Sequence, residues 1–245
     1  MDEFVRRRAM MELPSAQAGY VTDGLIAYWD GIDNTGGNGH DSTQRTWVDL
    51  IDGYTWNYQA NTPTFGADGV TFAGVKGSAF YKLNSAFVTR PSESTLEVVA
   101  TPTANATQFI MALSWNSDPL DSTYNASFSA ITYSDNTVGF VGVSGNTYST
   151  GLPDVTGIRK MTATYTGTAV DKAYINGSLL SLSNKTHSMR QKHNSAIGAT
   201  DLSNQSANYP FTGTVHAIRL YNRKLTDAER AQNDVYDNAR FNLNM

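Results

Sequence analysis

Short segments rich in apolar and β-branched residues recur along most of this chain, separated by stretches rich in Gly, Asn, Ser and Asp. Segments of this length and composition predict β-strands. Apolar and polar residues alternate clearly at 95–99 and 161–165, which is typical of strands with one face on a core. The predicted strands are Gly24–Trp29, 47–50, Val70–Phe72, Ala79–Leu83, Thr95–Ala100, Gln108–Trp115, Ser127–Tyr133, Thr137–Val143, Lys160–Tyr165, Lys172–Ile175, Ser178–Leu182, Ala196–Ala199 and Thr214–Tyr221.

The last of these strands differs from the others because its apolar residues occupy both odd and even positions, and so lie on both faces of the strand. That pattern predicts a strand that is covered on both sides or broken by a bulge. The two sets are Val215, Ala217 and Tyr221 against Ile218 and Leu220.

A helical pattern begins after Lys224. Thr226 and Glu229 have the spacing of a capping box, in which both side chains satisfy backbone N–H donors at a helix start. The sequence therefore predicts a short C-terminal helix, and its small apolar residues line one face: Ala228, Ala231, Val235 and Ala239.

The dipeptide Asn176-Gly177 gives the strongest local prediction, since both residue types tolerate the positive φ angles of a type I′ turn. We therefore expect a β-hairpin centred there. The longest polar stretch, 181–208, predicts an exposed loop system with a short strand at 196–199.

Two motifs carry a family resemblance. One is the opening Gly24-Leu-x-Ala-Tyr followed by Asp30-Gly-Ile-x-Asn-Thr-Gly and Trp47-x-Asp-Leu50; the other is Phe211-x-Gly-x-Val215 with Ile218-x-Leu-Tyr-Asn-Arg-x-Leu225. Both resemble laminin-G-like, concanavalin A-like domains found in bacteriophage virion proteins and bacterial surface proteins. The resemblance implies an all-β fold, a two-sheet antiparallel jelly-roll sandwich, spanning 21–245 as one domain. The loop Ile51–Trp56 departs from the family pattern.

Composition narrows the function classes. Hydrophobic residues make up 40% of the chain, a fraction typical of globular proteins. The formal net charge is −4, so we expect no nucleic-acid partner. There is no cysteine for a disulfide or a thiolate site. No apolar run is long enough to cross a bilayer, and the N-terminus lacks the apolar region of a signal peptide.

Residues 1–20 have the composition of an extended N-terminal arm, with mixed charge and a Pro-Ser-Ala-Gln-Ala-Gly exit. We predict that this arm anchors the domain to a larger assembly, and the alternative is an ordinary flexible terminus. The anchoring side chains would be Phe4, Arg6, Arg7, Arg8, Met10 and Met11.

Tyr54, Trp56 and Tyr58 alternate along an extended segment, which places the three rings on one face. Flat aromatic faces beside Asn and Asp are where sugar rings stack, so this face is the candidate glycan-binding site. The same pattern also describes a half-buried strand packed on the core.

Metal binding and catalysis have weaker signals. Asp30, Asp33 and Asn34 offer hard oxygen ligands for calcium in a Gly-rich loop, but Asx residues also form turns without an ion. Asp49 and Asp52 are equally ambiguous, and we assign no metal or cofactor.

Glu93 and Glu97 would lie on the same face of a strand, as the two carboxylates of a glycosidase dyad would, but no Asp lies between them. His216 lies inside the last strand, where a structural, hydrogen-bonded role is expected. His187 and His193 lie in a basic polar loop and are expected at the solvated surface.

These observations predict a non-enzymatic bacteriophage virion structural protein: a capsid decoration protein, head fibre or tail accessory. Its arm would bind other virion proteins, and its jelly roll, on the virion surface, would bind glycans or the host; a homo-oligomer is compatible with this role. The alternative is a carbohydrate-binding module at the bacterial cell surface or secreted. A glycoside hydrolase is a distant third.

Overall fold

The computed structural model contains two antiparallel β-sheets and a C-terminal helix. The residues that it describes are 19–58, 63–75, 80–83, 91–104, 106–113, 128–132, 138–141, 146–150, 157–167, 169–186, 195–199 and 209–243.

In this part of the chain the first sheet has eight strands, numbered in chain order: β1 Leu25–Asp30, β4 Thr64–Gly66, β5 Gly69–Ala73, β7 Glu93–Pro102, β12 Arg159–Thr166, β13 Ala169–Ile175, β14 Ser178–Leu179 and β17 Thr212–Tyr221. Their order is β14-β13-β12-β7-β17-β5-β4, and β1 pairs with the C-terminal half of β17. The last strand of the chain is therefore central to this sheet.

The second sheet has nine strands within the same described ranges: β2 Thr46–Val48, β3 Thr55–Tyr58, β6 Phe80–Leu83, β8 Gln108–Leu113, β9 Phe128–Thr132, β10 Val138–Val141, β11 Asn146–Thr150, β15 Ser183–Thr186 and β16 Ala196–Ile197. Their order is β15-β11-β10-β9-β8-β16-β6-β3-β2. The predicted strands correspond to elements of one sheet or the other. Four strands are absent from the predicted list, namely β3, β4, β11 and β15. The segment that forms β3 was expected to be extended, and β15 lies in the stretch that we expected to be a loop, where too few apolar residues alternate to mark a strand.

One large apolar core joins the two sheets. Trp29, Leu96 and Ile218 reach it from the first sheet, and Trp47 and Phe80 from the second. Two layers of antiparallel strands around one core are the arrangement expected of an all-β fold. The all-β prediction is therefore confirmed.

Strand β17 is covered on both sides, as its sequence predicted. Ile218 and Leu220 belong to the core between the sheets, whereas Ala217 and Tyr221 belong to a second apolar cluster on the opposite face. The pairing of β17 with β7 also shifts register between Val215 and Ala217, so the strand has a bulge as well.

The C-terminal helix, α1, spans Asp227–Phe241 and has the predicted capping box. Thr226 Oγ1 accepts from the Glu229 N–H at 3.3 Å, and the Thr226 N–H donates to Glu229 Oε2 at 2.8 Å. The described part of the chain contains no helix long and apolar enough to cross a bilayer.

The small apolar residues of α1 do share one face, but that face is turned to solvent. Ala228, Ala231 and Ala239 are exposed, and Val235 is 57% exposed. The buried residues of α1 are mostly polar or charged: Arg230, Asn233, Asp237 and Phe241. This burial is possible because charged side chains of the first sheet lie opposite them.

The predicted hairpin is confirmed. Asn176 and Gly177 have φ angles of 45° and 76°, and Ile175 pairs with Ser178 across the turn. Positive φ at both central residues is the type I′ geometry, which matches the right-handed twist of the two strands.

The chain already packs against α1 at Gly19–Val21, before the first strand. Gln232 Nε2 donates to the Gly19 carbonyl at 2.6 Å, and the Val21 N–H donates to Asn233 Oδ1 at 2.7 Å. The Tyr20 ring lies 4.9 Å from that of Tyr28. Gly19, Tyr20 and Val21 therefore lie beside α1.

Candidate functional site

The aromatic face predicted from Tyr54, Trp56 and Tyr58 is not formed as expected. Trp56 is 0% exposed, and its ring lies 5.6 Å from that of Trp29 in the core. A ring with no exposed face cannot stack on a sugar, so Trp56 is corrected to a core residue, the alternative that the alternation also allowed. Tyr54 is half-buried at the edge of the same core. The side chain of Tyr58 lies outside the described residues.

Asp49 organises the loop that presents Tyr54. Its Oδ1 accepts from the Ile51 N–H at 2.6 Å and from the Asp52 N–H at 3.3 Å, and its Oδ2 accepts from the Tyr54 N–H at 2.6 Å. The Trp29 indole N–H donates to the Tyr54 carbonyl at 3.2 Å. The backbone N–H and carbonyl of Tyr54 are thus both bound by buried groups.

Burial raises the pKa of the Tyr54 phenol, and the nearby carboxylates of Asp52 and Asp49 raise it further. The Tyr54 hydroxyl therefore stays protonated and lies close to hydrogen-bond acceptors. Burial also raises the pKa of Asp49, while the backbone N–H donors from Ile51, Tyr54 and Asp52 oppose that shift. Tyr54 is thus a partly exposed aromatic residue in a loop that also contains the exposed Asp52, whereas Asp49 is buried.

The segment that contains Tyr54 is acidic. Residues 30–58, from the end of β1 to the end of β3, contain five Asp and one Arg, and one of these carboxylates, Asp30, is paired with Arg240. Asp41 stays ionised, because the Thr43 side chain and backbone N–H both donate to it and lower its pKa. An uncharged ligand meets less electrostatic opposition here than an anionic one.

The candidate calcium ligands are hydrogen-bonded to nearby backbone groups, as turn-forming residues are. Asp30 Oδ1 accepts from the Ile32 N–H at 2.7 Å, and Asp30 Oδ2 pairs with Arg240 at 2.6 Å. Asp33 Oδ1 accepts from the Gly37 N–H at 3.1 Å, and Asn34 exchanges two hydrogen bonds with the backbone of Asp41, both at 2.8 Å. The turn interpretation is confirmed, since these oxygens already serve as acceptors for the protein itself. Within the described ranges no group of three metal-type side chains comes together.

A buried ion network lies between the first sheet and α1. Lys160 Nζ is 2.9 Å from Glu97 Oε1 and 3.0 Å from Asp237 Oδ2. Arg219 Nε donates to Glu97 Oε2 at 3.0 Å, and Arg219 Nη2 donates to Asp237. Asn233 Nδ2 donates to the same Glu97 oxygen at 2.8 Å. All five side chains are buried, so each charge depends on its partners rather than on water.

The electrostatics of this network favour its charged state. Burial lowers the pKa of Lys160, but the Glu97 and Asp237 carboxylates raise it more, and the net shift is upward. Burial likewise opposes the charge on Arg219, and Asp237 and Glu97 together hold its pKa well above the usual range. The network therefore binds α1 to the first sheet through buried ion pairs.

The glycosidase dyad is not formed by Glu93 and Glu97. Glu97 is 1% exposed beneath α1, whereas Glu93 is 51% exposed and lies 3.6 Å from Lys224 Nζ. A polysaccharide has no path to Glu97, so the pair lacks one of its two carboxylates.

His216 has the structural role predicted for it. Its Nδ1 lies 2.7 Å from the Asp68 carbonyl oxygen, which can only accept, so Nδ1 carries the proton. Its Nε2 then accepts from the Thr101 hydroxyl at 2.8 Å. Burial lowers the pKa of His216 below its ordinary value of 6.5, against the smaller opposing effect of Asp68.

Acidification is expected to destabilise the fold through His216. Because its folded-state pKa lies below the unfolded value, the stabilisation is present above that value and is lost as the pH falls through the folded pKa. Denaturant titrations of the wild type at about pH 7.5 and about pH 5 should therefore show a loss of unfolding free energy. His216→Gln should show a smaller loss, and equal losses in both proteins would contradict the assignment.

The predicted anchor residues Phe4, Arg6, Arg7, Arg8, Met10 and Met11 lie outside the described residues, as do His187 and His193. The sequence missed the ion network, because Glu97, Lys160, Arg219 and Asp237 lie on four different elements. A possible signal was a charged residue at an inward or covered position of an otherwise apolar strand, as at Arg219 in β17.

No protein-family model matches this sequence, and no curated protein matches it. Solved structures do share its fold. The sialidase of Trypanosoma rangeli in complex with sialic acid superposes with a TM-score of 0.62 at 16% identity, covering 91% of this chain and 34% of the sialidase. The same sialidase in complex with 2,3-difluorosialic acid gives 0.63 at 16% identity, covering 97% of this chain and 39% of that one.

The CBM40 module of the Ruminococcus gnavus IT-sialidase, bound to alpha2,3 sialyllactose, superposes with a TM-score of 0.42 at 16% identity, over 57% of this chain and 81% of that module. At these identities the likeness concerns the fold alone. The chain spans little more than a third of the length of the sialidases, 34% to 39%.

Proposed function

We propose that this chain is a non-catalytic carbohydrate-recognition domain that binds a neutral glycan at the loop around Tyr54. The observation that carries the proposal is the partly exposed Tyr54, in a loop whose backbone is fixed by Asp49 and Trp29 and which also contains the exposed Asp52. A sugar ring presents C–H groups that pack on an aromatic face and hydroxyls that donate to carboxylates. A site that is fixed before binding loses less conformational entropy when the ligand arrives.

The absence of catalysis is part of this proposal. Three side chains of the kind that acid–base chemistry uses are engaged internally. Glu97 belongs to the ion network, His216 to a buried hydrogen-bonded pair, and Asp49 to the loop of Tyr54. This engagement supports a binding role rather than a hydrolytic one.

The jelly-roll connectivity and the laminin-G-like family stay predictions within the proposal, and so does the setting of the domain. A bacterial surface or secreted module fits the carbohydrate-binding role directly. Display on a bacteriophage virion depends on residues 1–20 as an anchor, and only Gly19 and Tyr20 of that segment are described. These two residues pack against α1.

Tyr54→Ala is expected to weaken glycan binding by about tenfold or more, because it removes the stacking face and its hydroxyl. Binding is measured by isothermal titration calorimetry with cellohexaose, xylohexaose and chitohexaose, which are neutral and so avoid repulsion by the acidic loop.

Ile51→Ala is the matched control, since Ile51 lies in the same loop, is 39% exposed and is not aromatic. It should bind as the wild type does. A wild-type protein that binds none of these glycans would refute the carbohydrate-binding proposal, and equal losses in the two variants would refute the role of Tyr54.

A further inference from the structure

Tyr209 combines exposure with an unfavourable backbone conformation. The residue is 45% exposed. Among the large hydrophobic side chains that are exposed in the described part of the chain, Tyr209 is the aromatic one. Its φ angle is 54°, in the left-handed region where a bulky side chain is rare. The next residue is Pro210, which further restricts the backbone of Tyr209.

The neighbouring structure fixes this conformation. The Phe109 N–H donates to the Tyr209 carbonyl at 3.0 Å, and two residues later the Phe211 N–H donates to the Gly198 carbonyl at 2.8 Å. The Tyr209 ring lies 6.1 Å from the Phe109 ring. Tyr209 is therefore a rigid platform where the chain passes from the second sheet to the start of β17.

Phe109 belongs to a small buried cluster with Ala112 and Ile131, separate from the core between the sheets. In β8, Ile110 and Met111 belong instead to the main core, and the pairing with β9 shifts register there. Tyr209 thus lies over the outer face of the second sheet, on the side away from the first sheet and away from α1.

Covering Phe109 does not by itself require this residue. An aliphatic side chain would shield the cluster, and Asn or Gly would adopt a positive φ with less strain. Strained residues persist where the surrounding structure over-determines them, and they concentrate at ligand sites. What tyrosine adds is an exposed, rigid ring face with a polar hydroxyl at its edge, which suits the C–H face and the hydroxyls of a sugar ring.

We propose that Tyr209 is a second stacking platform for a saccharide ring, on the outer face of the second sheet. This inference rests on the proposed carbohydrate-binding function and adds a second contact to it, independent of the loop around Tyr54. Two platforms on one domain suit a polysaccharide chain or two branches of one glycan, whose binding is strengthened when both are engaged.

The test compares Tyr209→Phe, Tyr209→Leu and Tyr209→Asn with the wild type, by calorimetry with the same three neutral hexasaccharides and by thermal unfolding. The phenylalanine variant keeps the ring, and it should bind within about twofold of the wild type. The leucine variant keeps an apolar cover over Phe109, and the asparagine variant tolerates the positive φ. Both should lose about tenfold in affinity with little change in melting temperature.

Wild-type-like affinity in the leucine and asparagine variants would overturn the Tyr209 proposal and leave the carbohydrate-binding function in place. A lower melting temperature with unchanged affinity would assign Tyr209 to shielding Phe109 and would overturn it as well. A wild-type protein that binds none of the hexasaccharides would refute both the function and this inference.

Discussion

Arg219→Met is expected to lower the free energy of unfolding by about 3–5 kcal/mol. The guanidinium is fully buried and donates to both Glu97 and Asp237. Methionine leaves these two carboxylates in the interior with only Lys160 as a counter-charge. Breaking a buried pair costs more than the pair contributes, because the remaining charge can be neither solvated nor matched. Urea titration followed by circular dichroism measures the loss.

Lys224→Met provides the matched control for the same chemical change at the surface. Lys224 Nζ lies 3.0 Å from Asp171, and both side chains are partly exposed. Exposed pairs of this kind contribute about 0–1 kcal/mol, so the control should stay close to the wild type. If Arg219→Met and Lys224→Met lowered the free energy of unfolding equally, water would have access to the ion network, and its burial would be contradicted.

Trp56→Ala is expected to cost about 3–5 kcal/mol of unfolding free energy, since it opens a large cavity in the core. Trp56 is 0% exposed and its ring packs against that of Trp29. The Trp29 indole N–H donates to the carbonyl of Tyr54, so the cavity would also disturb the loop that presents Tyr54. The loss is measured by the same urea titration.

Tyr54→Ala is the comparison, because Tyr54 lies two residues away and is only half-buried. It should lose glycan affinity while keeping most of its stability, whereas Trp56→Ala should lose stability first. A Trp56→Ala protein as stable as the wild type and devoid of glycan affinity would instead restore Trp56 as a stacking residue.

The two pairs of variants separate scaffold from site. Arg219 and Trp56 hold α1 and the two sheets together, whereas Tyr54 and Tyr209 lie at the surface of that scaffold. A recognition domain of this kind gains specificity when rigid elements hold the contact residues. The ion network and the tryptophan-rich core supply that rigidity here.

Part of the candidate site could be predicted from the chain alone. The extended conformation of 54–58 followed from its alternation, and the Asx turns at Asp30 and Asp33 followed from residue type and Gly content. The alternation places the rings on one face, but it did not show whether that face is buried or exposed. A period of two defines two faces without identifying the buried one. Tyr209 carried no periodic signal, because its exposure depends on the distant contact with Phe109.

The sequence by itself determined most of the local elements: the majority of the strands, the type I′ hairpin at Asn176-Gly177, the bulged and doubly covered β17, and the capping box of α1. Each depends on the preferences of neighbouring residues, which a single chain displays directly. The tertiary structure decided which faces are buried. Helix α1 turns Val235 to solvent and buries Asp237, because Arg219 and Lys160 lie opposite on the sheet. A charge becomes a core residue only where the fold brings its counter-charges to it, and Arg219 and Glu97 are 122 positions apart in the chain.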